Sequence, residues 1–332
     1  MDMAYVLPIA FMGVMGLSLL IYVILDGYDL GVGLLLPFAE EDEKDMMIAS
    51  IGPFWDANET WIVLGVGVLL IAFPKAHSMV LTALYVPVTI MLFGLILRGV
   101  AFDFRVKAGD QRRRMWNRMF SIGSLITSMC QGWMLGSYIT GLEPGLLNWI
   151  FSSLIALTLP ALYIMLGAAW LLMKTEGRLF DKAVVWARRA LLPMGIALLL
   201  VSVATPLVSG TIAQKWFMLP NAIGLLPIPV SCVIGYIAMY WLLLHPDILR
   251  SGGGWLVFLA LVMISTMAAI GLAYSLFPNI VINKITIWEA ASATSSLEFI
   301  SVGVAISLPM IIGYTIYIYR IFHGKATHLS YE

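Results

Sequence analysis

Nine continuous apolar runs dominate the chain, at about 7–25, 53–73, 78–102, 117–141, 147–173, 189–209, 222–244, 255–276 and 297–320. Roughly 20 apolar residues in an α-helix cover the hydrocarbon core of a bilayer. Inside lipid only helices and closed barrels satisfy every backbone N–H and C=O, and a barrel reads as short alternating segments, not as unbroken runs. The pattern therefore predicts an all-α integral membrane protein with nine transmembrane helices. The connections are short, so residues 1–332 are expected to form a single polytopic membrane domain. No basic residue precedes the first run and no clear small-residue cleavage site follows it, so it reads as a span and not as a signal peptide. Composition decides the class. The chain is 61% hydrophobic and 11% charged, whereas a soluble domain carries about a quarter charged residues. A soluble fold of this make-up would expose large apolar patches. Soluble enzymes, disordered chains and nucleic-acid binders are excluded.

The basic residues orient the spans. With nine spans, 15 of the 19 Lys and Arg residues fall on one side of the membrane: Lys44, the group from Arg105 to Arg118, the group from Lys174 to Arg189, Arg250, Arg320 and Lys325. The other side holds only Lys75, Lys215 and Lys284. The positive-inside rule then places the N-terminus outside, in the periplasm, and the C-terminus in the cytoplasm. The acidic run Glu40-Glu41-Asp42-Glu43 lies on the cytoplasmic side and reads as a solvated loop.

The informative residues are those that lipid penalises. Asp56, Asn58 and Glu59 open the second run. A carboxylate at mid-bilayer costs about 2.5–3.5 kcal/mol on insertion scales, and less near the interface. Asp56 and Glu59 are three residues apart and share a helical face with Thr60, which must meet protein or water. Two acids so placed suit proton relay. They equally suit an interfacial helix start, with Asp56 as a cap and Glu59 reaching for the headgroups. Arg98 is the one basic residue well inside a span. It either snorkels to the interface or pairs with a carboxylate of similar depth, for which Asp26, Asp29, Asp56, Glu59 and Asp103 qualify. The stretch Asp26-Gly-Tyr-Asp-Leu-Gly-Val-Gly33 follows the first run, and its glycines permit a tight turn or a close helix contact. It lacks the preceding strand and the Gly-Lys-Ser/Thr ending of a nucleotide loop.

A haem buried among helices needs an axial ligand at membrane depth, most often His. His77, His245, His323 and His328 all lie in loops, at span ends or in the tail. Cys130 and Cys232 sit within apolar runs and read as small hydrophobes. The chain is expected to bind no haem and no metal.

Several stretches together resemble subunit II of bacterial cytochrome bd-type quinol oxidases. They are Asp26-Gly-Tyr-Asp-Leu-Gly-Val-Gly33, Gly52-Pro-Phe-Trp-Asp-Ala-Asn-Glu59, Ala72-Phe-Pro74, Leu97-Arg-Gly-Val-Ala-Phe-Asp-Phe-Arg105, Phe277-Pro-Asn-Ile, Ile285-Thr-Ile-Trp-Glu-Ala290 and Ser295-Ser-Leu297. The likeness runs in order from the first span to the tail, and the compact length is similar to the cyanide-insensitive branch. It implies a nine-span subunit without haem in the bacterial cytoplasmic (inner) membrane. Its partner is subunit I, which carries the haems b and b/d and the quinol site and reduces O2 to water. Quinol is oxidised outside and protons are drawn from the cytoplasm, so the complex is electrogenic. Small single-span subunits and lipid complete the set of implied partners.

The resemblance also implies residue roles. The aspartate after Trp55, here Asp56, lies on the cytoplasmic proton route at the subunit interface, with Glu59 beside it. Some members hold a structural quinone near the residues matching Asp29, Trp55 and Arg98, positions that serve otherwise as a buried ion-pair site. Asp26, Gly27, Gly31, Gly33, Asn58 and Trp288 are structural motif positions. The chain has Ala57 where the family often has Gly. Two other readings stand beside this one. The first is an ion-coupled secondary transporter with an Asp/Glu/Arg site, although paired Gly/Pro-interrupted spans are missing. The second is a purely structural subunit without a proton role.

Overall fold

The computed structural model describes residues 2–326; His328 lies outside them. The apolar runs become helices in chain order. They are α1 (Met3–Leu35), α2 (Glu41–Ile51), α3 (Trp55–Ala72), α4 (Pro74–Lys107), α5 (Asp110–Ile139), α6 (Leu146–Lys174) and α7 (Gly177–Val208), then the short α8 (Gly210–Phe217) and α9 (Asn221–Leu225), then α10 (Pro227–Leu244), the one-turn α11 (Pro246–Ile248) and α12 (Gly254–Leu276). A two-stranded antiparallel ribbon, β1 (Asn279–Val281) and β2 (Ile285–Thr286), leads to α13 (Ile287–Ala290) and α14 (Thr294–Ile321). Proline opens α4 and α10 at the first turn, where its missing N–H costs nothing.

Among the described residues, eight stretches are long and apolar enough to cross a membrane. The run at 117–141 is not one of them, although it lies largely within the 30-residue α5. The reason is its polarity: Ser121, Ser124, Thr127 and Ser128 are buried against neighbouring helices and do not face lipid. α5 packs between α4 and α6, α1 packs on α3, α5 and α6, and α10 pairs with α12. The outer helices remain bare. α14 exposes Phe299, Val302, Ile306 and Met310, and α10 exposes Val233, Ile234 and Ile237.

Two sequence expectations are corrected. The Asp26 to Gly33 stretch does not follow the first span but continues it as part of α1, and of the two uses open to its glycines the fold takes the close helix contact. Glycine makes this possible. A Cβ on Gly31 would lie 1.8 Å from the Tyr163 carbonyl oxygen, and one on Gly167 would lie 2.4 Å from the Gly31 carbonyl carbon. α1 and α6 therefore touch backbone to backbone, as small residues allow in membranes, and the polar stretch is shielded from lipid. The acidic run Glu40 to Glu43 is solvated at Glu40, Glu41 and Asp42 but is not a loop. Glu40 and Glu43 form a capping box that starts α2. Glu43 is 6% exposed and pairs with Lys182 at 2.7 Å, and Arg178 pairs with Glu40.

The two ends of the bundle are built differently. At the α2 end, further ion pairs join Asp45 to Arg105 and Arg113, and Asp181 to Arg250. Lys174 donates to the carbonyls of Phe322 and Gly324, tying the C-terminal segment down. At the α13 end, Trp288 stacks on Tyr5 with centroids 5.0 Å apart and donates to the Tyr5 carbonyl. Ser292 caps α3 by donating to the carbonyls of Ala72 and Ile71. Trp288 is thus a clamp at one end of the bundle.

Candidate functional site

A polar cluster is buried where α1, α3, α4, α5, α6 and α14 meet. α1 supplies Tyr22, Asp26 and Asp29, spaced four and three residues apart and so on one face. Asp26 and Asp29 are fully buried. From α4, Arg98 reaches Asp26 Oδ1 with Nη2 at 2.5 Å, and the same Nη2 donates to Glu59 of α3. Arg98 is 1% exposed and the Glu59 side chain 26%. The snorkelling reading of Arg98 is thereby overturned, and of its five eligible carboxylates the fold selects Asp26 and Glu59. A charge taken this far out of solvent demands such a counter-charge.

Beside this ion triad lies a hydrogen-bonded ring. Asn58 Nδ2 donates to Asp29 Oδ2 and to the Tyr28 hydroxyl, both at 2.8 Å. Tyr319 donates to Asn58 Oδ1 at 3.1 Å. The Tyr28 and Tyr319 hydroxyls are 2.5 Å apart. Since the Tyr319 hydrogen is used on Asn58, Tyr28 must donate to Tyr319, and the three residues close a ring in which every bond runs the same way. A carboxylate can only accept from Asn58, which assigns the amide orientation. Aromatic rings wall off this ring on the α2 side: Tyr28 stacks on Trp170 at 4.0 Å, and Phe54 lies 4.7 Å from Tyr319. A third polar chain enters from α5 and α6, where Tyr163 donates to Gln131 Oε1 and Gln131 donates to Tyr22.

Asp56 is different. It lies in the first turn of α3, exposed, without a hydrogen bond or ion pair among the described residues. It caps nothing, so that reading is corrected too. Along the same helix Val63, Val66 and Leu70 are exposed, so Asp56 is an acid at the edge of an apolar face, one turn from Glu59. Trp55 packs on Phe102 with centroids 5.2 Å apart and lies against Gly99.

The structure thus brings together Asp26, Asp29, Asn58, Glu59 and Arg98. It uses Gly27, Gly31 and Gly33 for close packing and puts Trp288 elsewhere. Asp29 and Arg98 are enclosed by this chain's own atoms, and two surface cavities, one between α1 and α12 and one between α3 and α14, touch neither them nor Trp55. As arranged, the three residues do not fit a quinone headgroup. Sequence reading missed Tyr22, Tyr28, Gln131, Tyr163 and Tyr319. For Tyr22, Gln131, Tyr163 and Tyr319 the only signal was a polar atom inside an apolar run, and for Tyr28 its place in the Asp26 to Gly33 stretch. Cys130 and Cys232 are half-buried and unpaired. His245 and His323 bond to backbone carbonyls one turn back. Among the described residues, no group of three His, Cys, Asp or Glu side chains is placed to hold a metal ion.

Comparison with known proteins agrees over nearly the whole chain. The family model of cytochrome bd terminal oxidase subunit II matches residues 7–322. The chain is similar to cytochrome bd ubiquinol oxidase subunit 2 of Bacillus subtilis, 26% identical over 325 residues and 92% of each chain. It is also similar to cytochrome bd-I ubiquinol oxidase subunit 2 of Escherichia coli, 30% identical over 181 residues, covering 49% of this chain and 48% of that one. The solved bd oxidase from Geobacillus thermodenitrificans has a chain of the same fold, with a TM-score of 0.76 at 19% identity, covering 96% of this chain and 98% of that one.

Proposed function

Because the chain belongs to the cytochrome bd terminal oxidase subunit II family, we propose that it is the haem-free membrane subunit of a quinol:O2 oxidoreductase, bracing a haem-bearing subunit I and lending it part of a cytoplasmic proton path. It is a multi-pass protein of the bacterial inner membrane. The haems b and b/d belong to the partner, where they supply the oxygen chemistry; this chain contributes position and acid groups.

The topology we favour has nine spans within one domain, with α5 as the ninth. Its 30 residues lie between α4 and α6, and its polarity is matched by those neighbours. The α2 end, where Arg105, Arg113, Arg178, Lys182 and Arg250 are held in ion pairs, is then cytoplasmic, and the N-terminus is periplasmic.

One observation carries the proton role. Asp56 is exposed at the start of a membrane span, beside an apolar face, with no side-chain partner among the described residues. Lipid penalises such a group, so a second subunit or water has to cover it. Glu59 stands one turn further in, and its oxygen is already held by Arg98, which fixes the carboxyl group in place. Asp56 can receive a proton from the cytoplasm and pass it across the subunit interface, with Glu59 as its neighbour in the line. For Asp29 and Arg98 the ion-pair and hydrogen-bond reading is the one supported, and no quinone is placed there. The bare faces of α10 and α14 are where lipid or a small single-span subunit would lie. No observation favours the transporter reading.

The test is Asp56→Asn in the purified heterodimer. Turnover with quinol and proton uptake are expected to fall together by about a hundredfold or more, the scale of a lost proton-transfer group, with Asp56→Glu recovering most of both. Unchanged turnover and uptake in Asp56→Asn would remove the conduit role and leave a bracing subunit.

A further inference from the structure

The buried cluster contains polar atoms that its own residues leave unpartnered. Among the described residues, Asp26 Oδ2, Asp29 Oδ1, Arg98 Nε and Arg98 Nη1 have no hydrogen-bond partner, and all belong to side chains that are at least 99% buried. Three of these atoms belong to one ion pair, Asp26 with Arg98. Arg98 meets Asp26 end-on, through Nη2 and Oδ1 alone, so Nη1 and Oδ2 are left free on either side of that contact. Asp29 is one turn from Asp26 on the same face of α1. A further donor points the same way. Tyr22 accepts from Gln131, so its own hydrogen is left to give, and Asp26 lies one turn further along α1.

Leaving one buried polar group unsatisfied costs about 1–3 kcal/mol, and more when it is charged. Four in one place call for a ligand. The ligand must donate to the two aspartates and accept from the arginine and the tyrosine. A metal cation would satisfy the carboxylates but would be repelled by Arg98 and leave its N–H groups bare. A quinone carbonyl would accept from Arg98 but give nothing to the aspartates. Water both donates and accepts, and it needs two to four polar partners to be held.

We propose that Asp26, Asp29 and Arg98 enclose a buried water site inside this subunit, holding one or two ordered molecules that join Glu59 and Arg98 to Tyr22, Gln131 and Tyr163 in a single hydrogen-bonded line. The line starts at the partly exposed Glu59 and ends between α5 and α6. It lies in this chain alone and does not depend on Asp56 carrying protons. A buried water bonded to two carboxylates and a guanidinium also tempers the excess of negative charge around Arg98, where three acids face one base.

The experiment is a density map of the chain in its natural assembly, at a resolution that shows single waters. The expected result is compact round density about 2.7–3.2 Å from at least two of Asp26 Oδ2, Asp29 Oδ1, Arg98 Nη1 and Arg98 Nε. Three results would overturn the proposal. The first is a dry site, with these atoms bare or bonded directly to one another. The second is planar ring density against Arg98. The third is density about 2.3–2.6 Å from carboxylate oxygens only, the signature of a cation. The same map shows separately whether Asp56 faces a partner, so failure of the water site and failure of the conduit are distinguishable.

Discussion

Substituting Gly31 by Ala tests whether the contact between α1 and α6 is what holds the polar cluster together. The added Cβ would lie 1.8 Å from the Tyr163 carbonyl oxygen, 2.7 Å from its carbonyl carbon and 2.8 Å from the Gly167 nitrogen. Real Cβ contacts essentially never fall under 3.0 Å. The obstacle is backbone on both sides, so no side chain can swing away and the helices must part by roughly 1 Å, which a close-packed interior does not absorb locally. Inserting a methyl into a packed core costs about 1–3 kcal/mol when side chains can yield, so at least about 3 kcal/mol is expected here. The separation also pulls Tyr28 off Trp170, its stacking partner at 4.0 Å, and moves Asp26 and Asp29 relative to Tyr163. Gly13 of the same helix is the control. Its added Cβ meets nothing within 4 Å, and Ala is favoured over Gly within a helix by about 0.5–1 kcal/mol. The assay is thermal stability and assembly yield of the detergent-solubilised complex. Gly31→Ala should lower both, and Gly13→Ala should leave both equal or raised. If Gly31→Ala matches the wild type, α1 and α6 do not meet through their backbones and the account of the glycine-rich stretch is wrong.

Two further outcomes follow from the same geometry. Arg98→Met leaves Asp26 buried without a counter-charge, and removing one partner of a buried pair costs about 3–5 kcal/mol. Adding Asp26→Asn to it should restore part of the loss in a denaturation series, and a single variant as stable as the wild type would show the pair to be dispensable. In the exposed turn at the α13 end, the backbone N–H and hydroxyl of Thr286 both donate to Glu289 at 2.8 Å and hold its carboxyl below the usual carboxylate range. A depressed value means that the cap stabilises the turn above the ordinary carboxylate value and is lost as pH falls through the lowered one, below about pH 4. Hydrogen exchange across 286–290 should therefore quicken on acidification, and Glu289→Gln should flatten that dependence; an unaltered profile in the variant would exclude the cap as its source.

Long apolar runs carry their own meaning, because lipid leaves a chain no way to satisfy its backbone except as a helix. The extents of α3, α6, α10, α12 and α14 were accordingly legible within a few residues. So was the chemistry that Arg98 requires. Sequence and structure part where polar residues interrupt the apolar pattern. The first apolar run stops before Asp26, yet α1 runs on to Leu35, since glycine contact with α6 shields the acids. The 117–141 run reads like the others, but α5 hides a polar face among α1, α4 and α6.

The site itself divides along the same line. Composition and the spacing of charges determined that this is a helical membrane protein, where most of its long helices lie, and that Asp56, Glu59 and Arg98 are the residues lipid would not tolerate alone. Only the tertiary structure decided that Arg98 takes Asp26 and Glu59 and leaves Asp29 to Asn58, and that Tyr22, Gln131, Tyr163 and Tyr319 join them. The physical reason is that a helix apolar on nearly every side has little amphipathic signal to orient it. Its rotation is set instead by close packing and by which polar groups find one another across helices, and those partners lie as much as 291 residues apart in the chain, as Tyr28 and Tyr319 do.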